Sequence, residues 1–109
     1  MKRVGQVLGI DPERINEYKR YHAAIWPEIA AAISAAGITN YSIFLENTTL
    51  FAYFEYTGSE EEYEERMAQM AAAPRMREWW DIMESMQRPL ASRAPGEWWA
   101  NMEEVFQQD

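Results

Sequence analysis

The stretch ITNYSIFLE-NT-TLFAYFEYT, residues 38–57, decides the fold class. Two runs rich in β-branched and aromatic residues, 38–46 and 49–57, flank Asn47-Thr48, the pattern of a hairpin with a tight two-residue turn. In the first run Tyr41, Ile43 and Leu45 alternate with Ser42, Phe44 and Glu46. In the second, Leu50, Ala52, Phe54 and Tyr56 alternate with Phe51, Tyr53 and Glu55. Successive side chains of a strand point to opposite faces, so both faces of this hairpin carry large side chains. An antiparallel sheet under one helical layer normally keeps its other face polar. Something must cover the second face, and 109 residues do not hold enough helix to do so. A second copy of the chain is the economical cover, and a homodimer is expected.

Upstream of the hairpin, residues 2–9 read as a first strand. Asp11-Pro12 is a helix start, because Asp11 can cap free N–H groups and Pro12 suits the first helical position. Gly37 is the stop. Between them Ile15, Tyr18, His22, Ile25, Ile29, Ala32 and Ala36 recur at spacings of three and four, the apolar stripe of an amphipathic helix. Pro27 cannot donate to the carbonyl of Ala23 and crowds it, so a kink or break is expected near residues 23–26. Downstream, Ser59 and Glu62 form a capping box, with Glu60 and Glu61 adding favourable charge at a helix N-terminus. That helix ends before Pro74, and a short one follows over residues 75–87. Residues 88–97 read as a loop and 98–107 as a last strand. The order β-α-β-β-α-β, with one extra short helix, is the ferredoxin-like α+β plan in a single domain over residues 1–109.

Composition narrows the function classes. The chain has no cysteine, which excludes disulfides and thiolate chemistry and suits a reducing, cytoplasmic setting. One histidine and no cysteine make a zinc site improbable. Eighteen acidic residues against ten basic give a net charge of −8, so nucleic-acid phosphates are poor partners. A neutral or cationic ligand suits the chain better. No apolar run approaches a membrane span, and no Gly-rich phosphate loop exists, since Gly5 and Gly9 do not make a dinucleotide fingerprint.

His22 is the one group that titrates near neutrality, and it sits on the apolar stripe one turn after Tyr18. Imidazole there is either a general acid or base, or a structural side chain bonded to a backbone carbonyl. Met76, Trp79, Trp80, Met83 and Met86 load the short helix with more apolar surface than packing needs. Neighbours on a helix diverge by about 100°, so Trp79 and Trp80 cannot share one spot, and one is core while the other faces a pocket. A flat indole suits the C–H face of a sugar, and its N–H can bond a hydroxyl. Trp98 and Trp99, on the expected last strand, face opposite sides and read as core and subunit contact. The scattered methionines read as packing filler.

Together these residues resemble a known family. Tyr18-Lys19-Arg20-Tyr21-His22 followed by Ile25-Trp26-Pro27-Glu28 is similar to the E-Y-x-x-x-H…I-W-P-E signature of the L-rhamnose mutarotases. Asn40-Tyr41-Ser42-Ile43, Trp79-Trp80 and Met102-Glu103-Glu104-Val105-Phe106 also match, in the same order along the whole chain. Residues 58–75 and 88–97 depart most. The resemblance implies a ferredoxin-like domain that dimerises through its sheets as an α+β barrel. It implies that His22 is the proton donor and that Tyr18, Tyr41, Trp79 and Trp80 hold the sugar. The implied reaction interconverts α and β anomers of a free pyranose by opening and closing the ring, without cofactor or metal. The methyl group of a 6-deoxy-hexose fits a tryptophan-lined wall, which favours L-rhamnose or L-fucose over glucose. Two other classes stand beside it: a cofactor-free oxygenase-like dimeric α+β barrel, and a non-catalytic ligand-binding dimer, because fold alone does not decide function.

Overall fold

In the computed structural model, which describes residues 1–109, the chain opens with strand β1 (Lys2–Ile10). Asp11 then caps a 3-10 turn, its carboxylate accepting from the Glu13 amide at 3.0 Å. Helix α1 (Ile15–Ala23) and helix α2 (Pro27–Ala35) follow. The expected break at Pro27 is complete: residues 24–26 are not helical. Trp26 is extended at φ −64°, ψ 135°, as a residue before proline prefers, and Pro27 begins α2 at the position that needs no N–H. Ile25 therefore leaves the helical stripe it was expected to continue, and it is exposed at the break.

The hairpin is strands β2 (Ile38–Glu46) and β3 (Thr49–Tyr56). Its two-residue turn is made possible by Asn47 at φ +54°, a left-handed conformation that asparagine tolerates. The register hides one surprise. Thr39 pairs with Glu55 but Ser42 pairs with Tyr53, so Asn40 and Tyr41 together oppose Phe54. This is a β-bulge, with Asn40 at φ +50°. Asn40 Nδ2 donates to Glu55 at 2.7 Å. The extra residue flips the parity of the strand. Ile38 before it and Tyr41, Ile43 and Leu45 after it consequently share the helical face.

Ser59 makes the expected capping box with Glu62, over a 3-10 turn rather than the α-helix itself. Helices α3 (Tyr63–Ala72) and α4 (Pro74–Met86) follow, then a two-residue strand β4 (Gln87–Arg88) and a short strand β5 (Ala100–Met102). The last strand is thus three residues long, not the ten expected. Trp98 and Trp99 precede it. β4 was not anticipated, because it follows a helix with no turn signal between.

The sheet is antiparallel in the order β2-β3-β1, with β4 and β5 sharing the free edge of β1. This is the ferredoxin-like order. Leu8, Ile10 and Leu50 meet Tyr18, Ile29, Met76, Trp79, Met83 and Met86 in one core between sheet and helices. Burying a side chain of this size stabilises the fold by about 1.5–3 kcal/mol. Met76, Trp79, Met83 and Met86, at helical spacing, supply most of the face of α4 that does this. The other sheet face is bare. Phe44 and Phe51 stack there with centroids 6.3 Å apart, and Phe44 is 60 % exposed. No helix is long and apolar enough to cross a membrane.

Candidate active site

The space between helices and sheet does not close completely. It leaves a cavity of about 460 Å³, hydrophobic at 15 of 17 lining positions, continuous in its lining with a second lobe of about 210 Å³. Tyr18, His22, Tyr41, Trp79 and Trp80 line both lobes. These are the five residues singled out from the sequence, and three separate elements bring them together. α1 contributes Tyr18 and His22 one turn apart. The bulge at Asn40 turns Tyr41 inward from β2. α4 contributes the two tryptophans. The larger lobe is the roomier but offers little to a hydroxyl. The smaller one adds Glu84, Gln87 and Trp98, so it has the mixed chemistry that a polyhydroxylated ligand requires.

His22 makes the backbone-carbonyl contact that its structural alternative expects. Its Nδ1 lies 2.9 Å from the carbonyl oxygen of Tyr18. A carbonyl only accepts, so Nδ1 carries the proton and the lone pair of the neutral ring resides on Nε2. Burial holds the pKa below the usual 6.5, and the carbonyl partner offsets part of that shift. At neutral pH the ring is therefore uncharged, with one nitrogen anchored and the other free to take a proton.

Aromatic contacts fix the imidazole plane. The Tyr18 ring lies 4.4 Å from it and Trp79 meets it edge-on at 5.5 Å. Trp79 is in turn backed by Trp26 at 5.2 Å, and the Arg75 guanidinium lies 4.1 Å over Trp26 while bonding Glu28 at 2.9 Å. The segment Trp26-Pro27-Glu28 thus buttresses the site without entering either lobe. Trp79 is the core tryptophan, 5 % exposed; Trp80 is half-buried, with Arg77 over its outer ring. The two diverge, as adjacent helical positions must, yet both line the cavity.

The phenols are held protonated. Burial raises the Tyr18 pKa, with a hydrogen bond from Gln87 opposing the shift. Tyr41, on the edge strand, is 40 % exposed as a residue, yet desolvation of its phenol by the surrounding side chains pushes its pKa up to about 12. Both are hydrogen-bond donors throughout the physiological range. Gln87, Trp98 and Glu84 were not among the residues singled out. Trp98 was expected on a strand as core or subunit contact; instead it stands in the loop and its indole N–H donates to Gln87 at 2.8 Å. Nothing in the sequence of a polar residue at a helix end signals such a role.

Comparison with known proteins agrees with this architecture. The chain is similar to a solved L-rhamnose mutarotase of Formosa agariphila, at 24 % identity and a TM-score of 0.76, with all of both chains covered. It is also similar to tetracenomycin F2 cyclase of Streptomyces glaucescens, a type II polyketide cyclase, at 16 % identity and a TM-score of 0.73, covering 100 % of this chain and 98 % of that one. At such identities the likeness establishes the fold, and it shows one fold serving two chemistries. Sequence separates them. An L-rhamnose mutarotase of Oceanobacillus iheyensis is 34 % identical, with 100 % of each chain covered. The family described as L-rhamnose mutarotase matches residues 3–108, and this chain belongs to it.

Proposed function

We propose that the protein interconverts the α and β anomers of a 6-deoxy-hexose, L-rhamnose foremost, with His22 moving the proton. The observation that carries this reading is the free Nε2 of a neutral, anchored His22 inside a mixed polar and apolar cavity, in a chain of this family. Nε2 takes the proton of the anomeric hydroxyl, and the imidazolium so formed delivers it to the ring oxygen. The C1–O5 electron pair leaves with that oxygen, and the C1–O1 bond becomes the carbonyl of the open aldehyde. Rotation about C1–C2 and the reverse proton path close the ring on the other face. His22 is thus the proton donor to the ring oxygen, and a positioned group of this kind contributes about 10²–10⁴-fold. Tyr18 and Tyr41 orient sugar hydroxyls as donors. Trp79 and Trp80 lie along the C–H face, and the apolar larger lobe accepts the C5 methyl.

The test is magnetisation-exchange NMR between anomers of L-rhamnose, L-fucose, D-glucose and D-galactose, above the uncatalysed rate. Exchange fastest for a 6-deoxy sugar is expected; exchange of none sinks the proposal. We also infer a homodimer in which the bare sheet face is covered by a second copy, and a cytoplasmic location for this cysteine-free chain. Phe44 is 60 % and Phe51 37 % exposed on that face, an apolar surface suited to a second copy.

A further inference from the structure

Gln87 and Trp98 form a pair that the proton chemistry above does not use. Trp98 Nε1 donates to Gln87 Oε1 at 2.8 Å, and Gln87 Nε2 donates to the Tyr18 hydroxyl at 3.0 Å. The direction of this chain is not arbitrary. An indole N–H can only donate, so the amide oxygen of Gln87 must face Trp98 and its NH₂ must face Tyr18. The phenolic oxygen of Tyr18 therefore accepts, and its own proton is left to point elsewhere.

The backbone seats this amide firmly. α4 ends at Met86, and Gln87 is already extended at φ −96°, ψ 152°, paired with Ile10 of β1. Gly9 permits the approach: a Cβ there would meet the Arg88 carbonyl oxygen at 2.6 Å. Pairing with β1 fixes the point from which the side chain reaches Tyr18, and the two hydrogen bonds hold its end. Trp98, at the far end of the 88–97 loop, closes the other side.

We propose that Gln87, oriented by Trp98, is a positioning residue that locks Tyr18 as a hydrogen-bond donor into the smaller lobe, toward an oxygen of the bound sugar. This rests on the anomer-exchange reading for its substrate but not for its geometry. A phenol with a free choice would spend part of its time presenting a lone pair. With Gln87 donating to it, the lone pair is taken and the proton faces the ligand. Two residues that flank the loop at 88–97 thereby control a residue that the family's pattern contains.

Gln87→Glu and Gln87→Leu test the idea. Ionised, Glu at this position accepts the Tyr18 proton and turns it away from the sugar. Protonated, it reproduces the amide, its O–H facing Tyr18 and its carbonyl facing Trp98. Anomer exchange by Gln87→Glu, divided by that of wild type at the same pH, should be down about tenfold at pH 8, the worth of one hydrogen bond. It should climb back toward unity as the carboxyl is protonated. Gln87→Leu should show a similar loss with no recovery. A purely structural Gln87 predicts the wild-type profile shape for both variants, with lower melting temperatures only. Full exchange by Gln87→Glu at pH 8 would overturn the proposal. Tyrosine labelled with ¹³C at Cζ supplies a readout independent of activity. Loss of the donor in Gln87→Leu should raise the titration of the Tyr18 signal, assigned with Tyr18→Phe, and an unmoved titration removes the clamp. Absence of exchange by wild type condemns the mutarotase reading instead, leaving the NMR titration to decide the clamp.

Discussion

His22 combines an anchored nitrogen with a free one, and the two can be separated by experiment. Asparagine keeps a hydrogen-bonding group of similar size but cannot cycle a proton near pH 7. His22→Asn should lower exchange by about 10²–10⁴-fold while the fold persists, as measured by anomer NMR beside a thermal melt. A structural histidine gives the reverse: lower melting, with exchange per folded molecule intact. The pH response has a definite sign. Because burial holds the folded pKa below 6.5, the unfolded chain gains its proton first as pH falls. Stability should therefore decline as pH drops through 6.5 and level off below the folded pKa. His22→Asn should lose that part of the dependence in melts taken from pH 8 to pH 5. Exchange by wild type should fall over the same range, with an apparent pKa under 6.5. The tryptophans divide differently. Trp79→Ala empties a core position and should cost about 3–5 kcal/mol of stability. Trp80→Ala should leave melting nearly unchanged and weaken sugar binding by about 1 kcal/mol, the worth of an aromatic contact. Calorimetry on each variant checks both, and equal losses of stability would refute the division.

The elements show what a sequence discloses and what it conceals. The hairpin was legible because β-branched and aromatic residues cluster on either side of a turn dipeptide. The break at Pro27 was legible because a missing N–H has one consequence wherever it occurs. Tyr18, His22, Trp79 and Trp80 stand out by their place, as a lone imidazole, a phenol one turn from it and indoles in surplus, whereas Tyr41 is named only by the family resemblance. The bulge could not be read, since Asn40 looks like any polar residue near a strand start. The ten-residue last strand was over-read, because Trp98 and Trp99 look like strand residues but serve a loop. Gln87 was missed for a related reason: its partner Tyr18 lies 69 positions away. The bulge itself is testable. Asn40→Gly keeps the left-handed backbone available and should melt near wild type. Asn40→Val, a β-branched residue at φ +50°, should cost about 1–3 kcal/mol and reduce exchange by displacing Tyr41. Equal melting of the two would show that the strand does not depend on Asn40.

The molecule as a whole has one finished face and one unfinished face. Phe44, Phe51 and Met102 lie on the bare side of the sheet, where an exposed apolar patch invites association. Sedimentation at micromolar concentration should give a dimer. Phe51→Glu should shift it toward monomer, with the pocket on the opposite side still able to bind sugar. A monomeric wild type would end the proposal that a second copy covers the sheet. The single extra residue in β2 has a further meaning for how such a chain can diverge. It takes up one residue of length without exchanging the two sides of the sheet. Ile38 pairs with Tyr56 and Ser42 with Tyr53 on either side of it, so a chain lacking Asn40 would set Tyr41 alone opposite Phe54 and keep both surfaces as they are. Loss of this one residue should therefore preserve the facing of the strand in descendants of this chain. The loop at 88–97, which leads into Trp98, can likewise lengthen or shorten by single residues and retune the ligand while the sheet keeps its two sides.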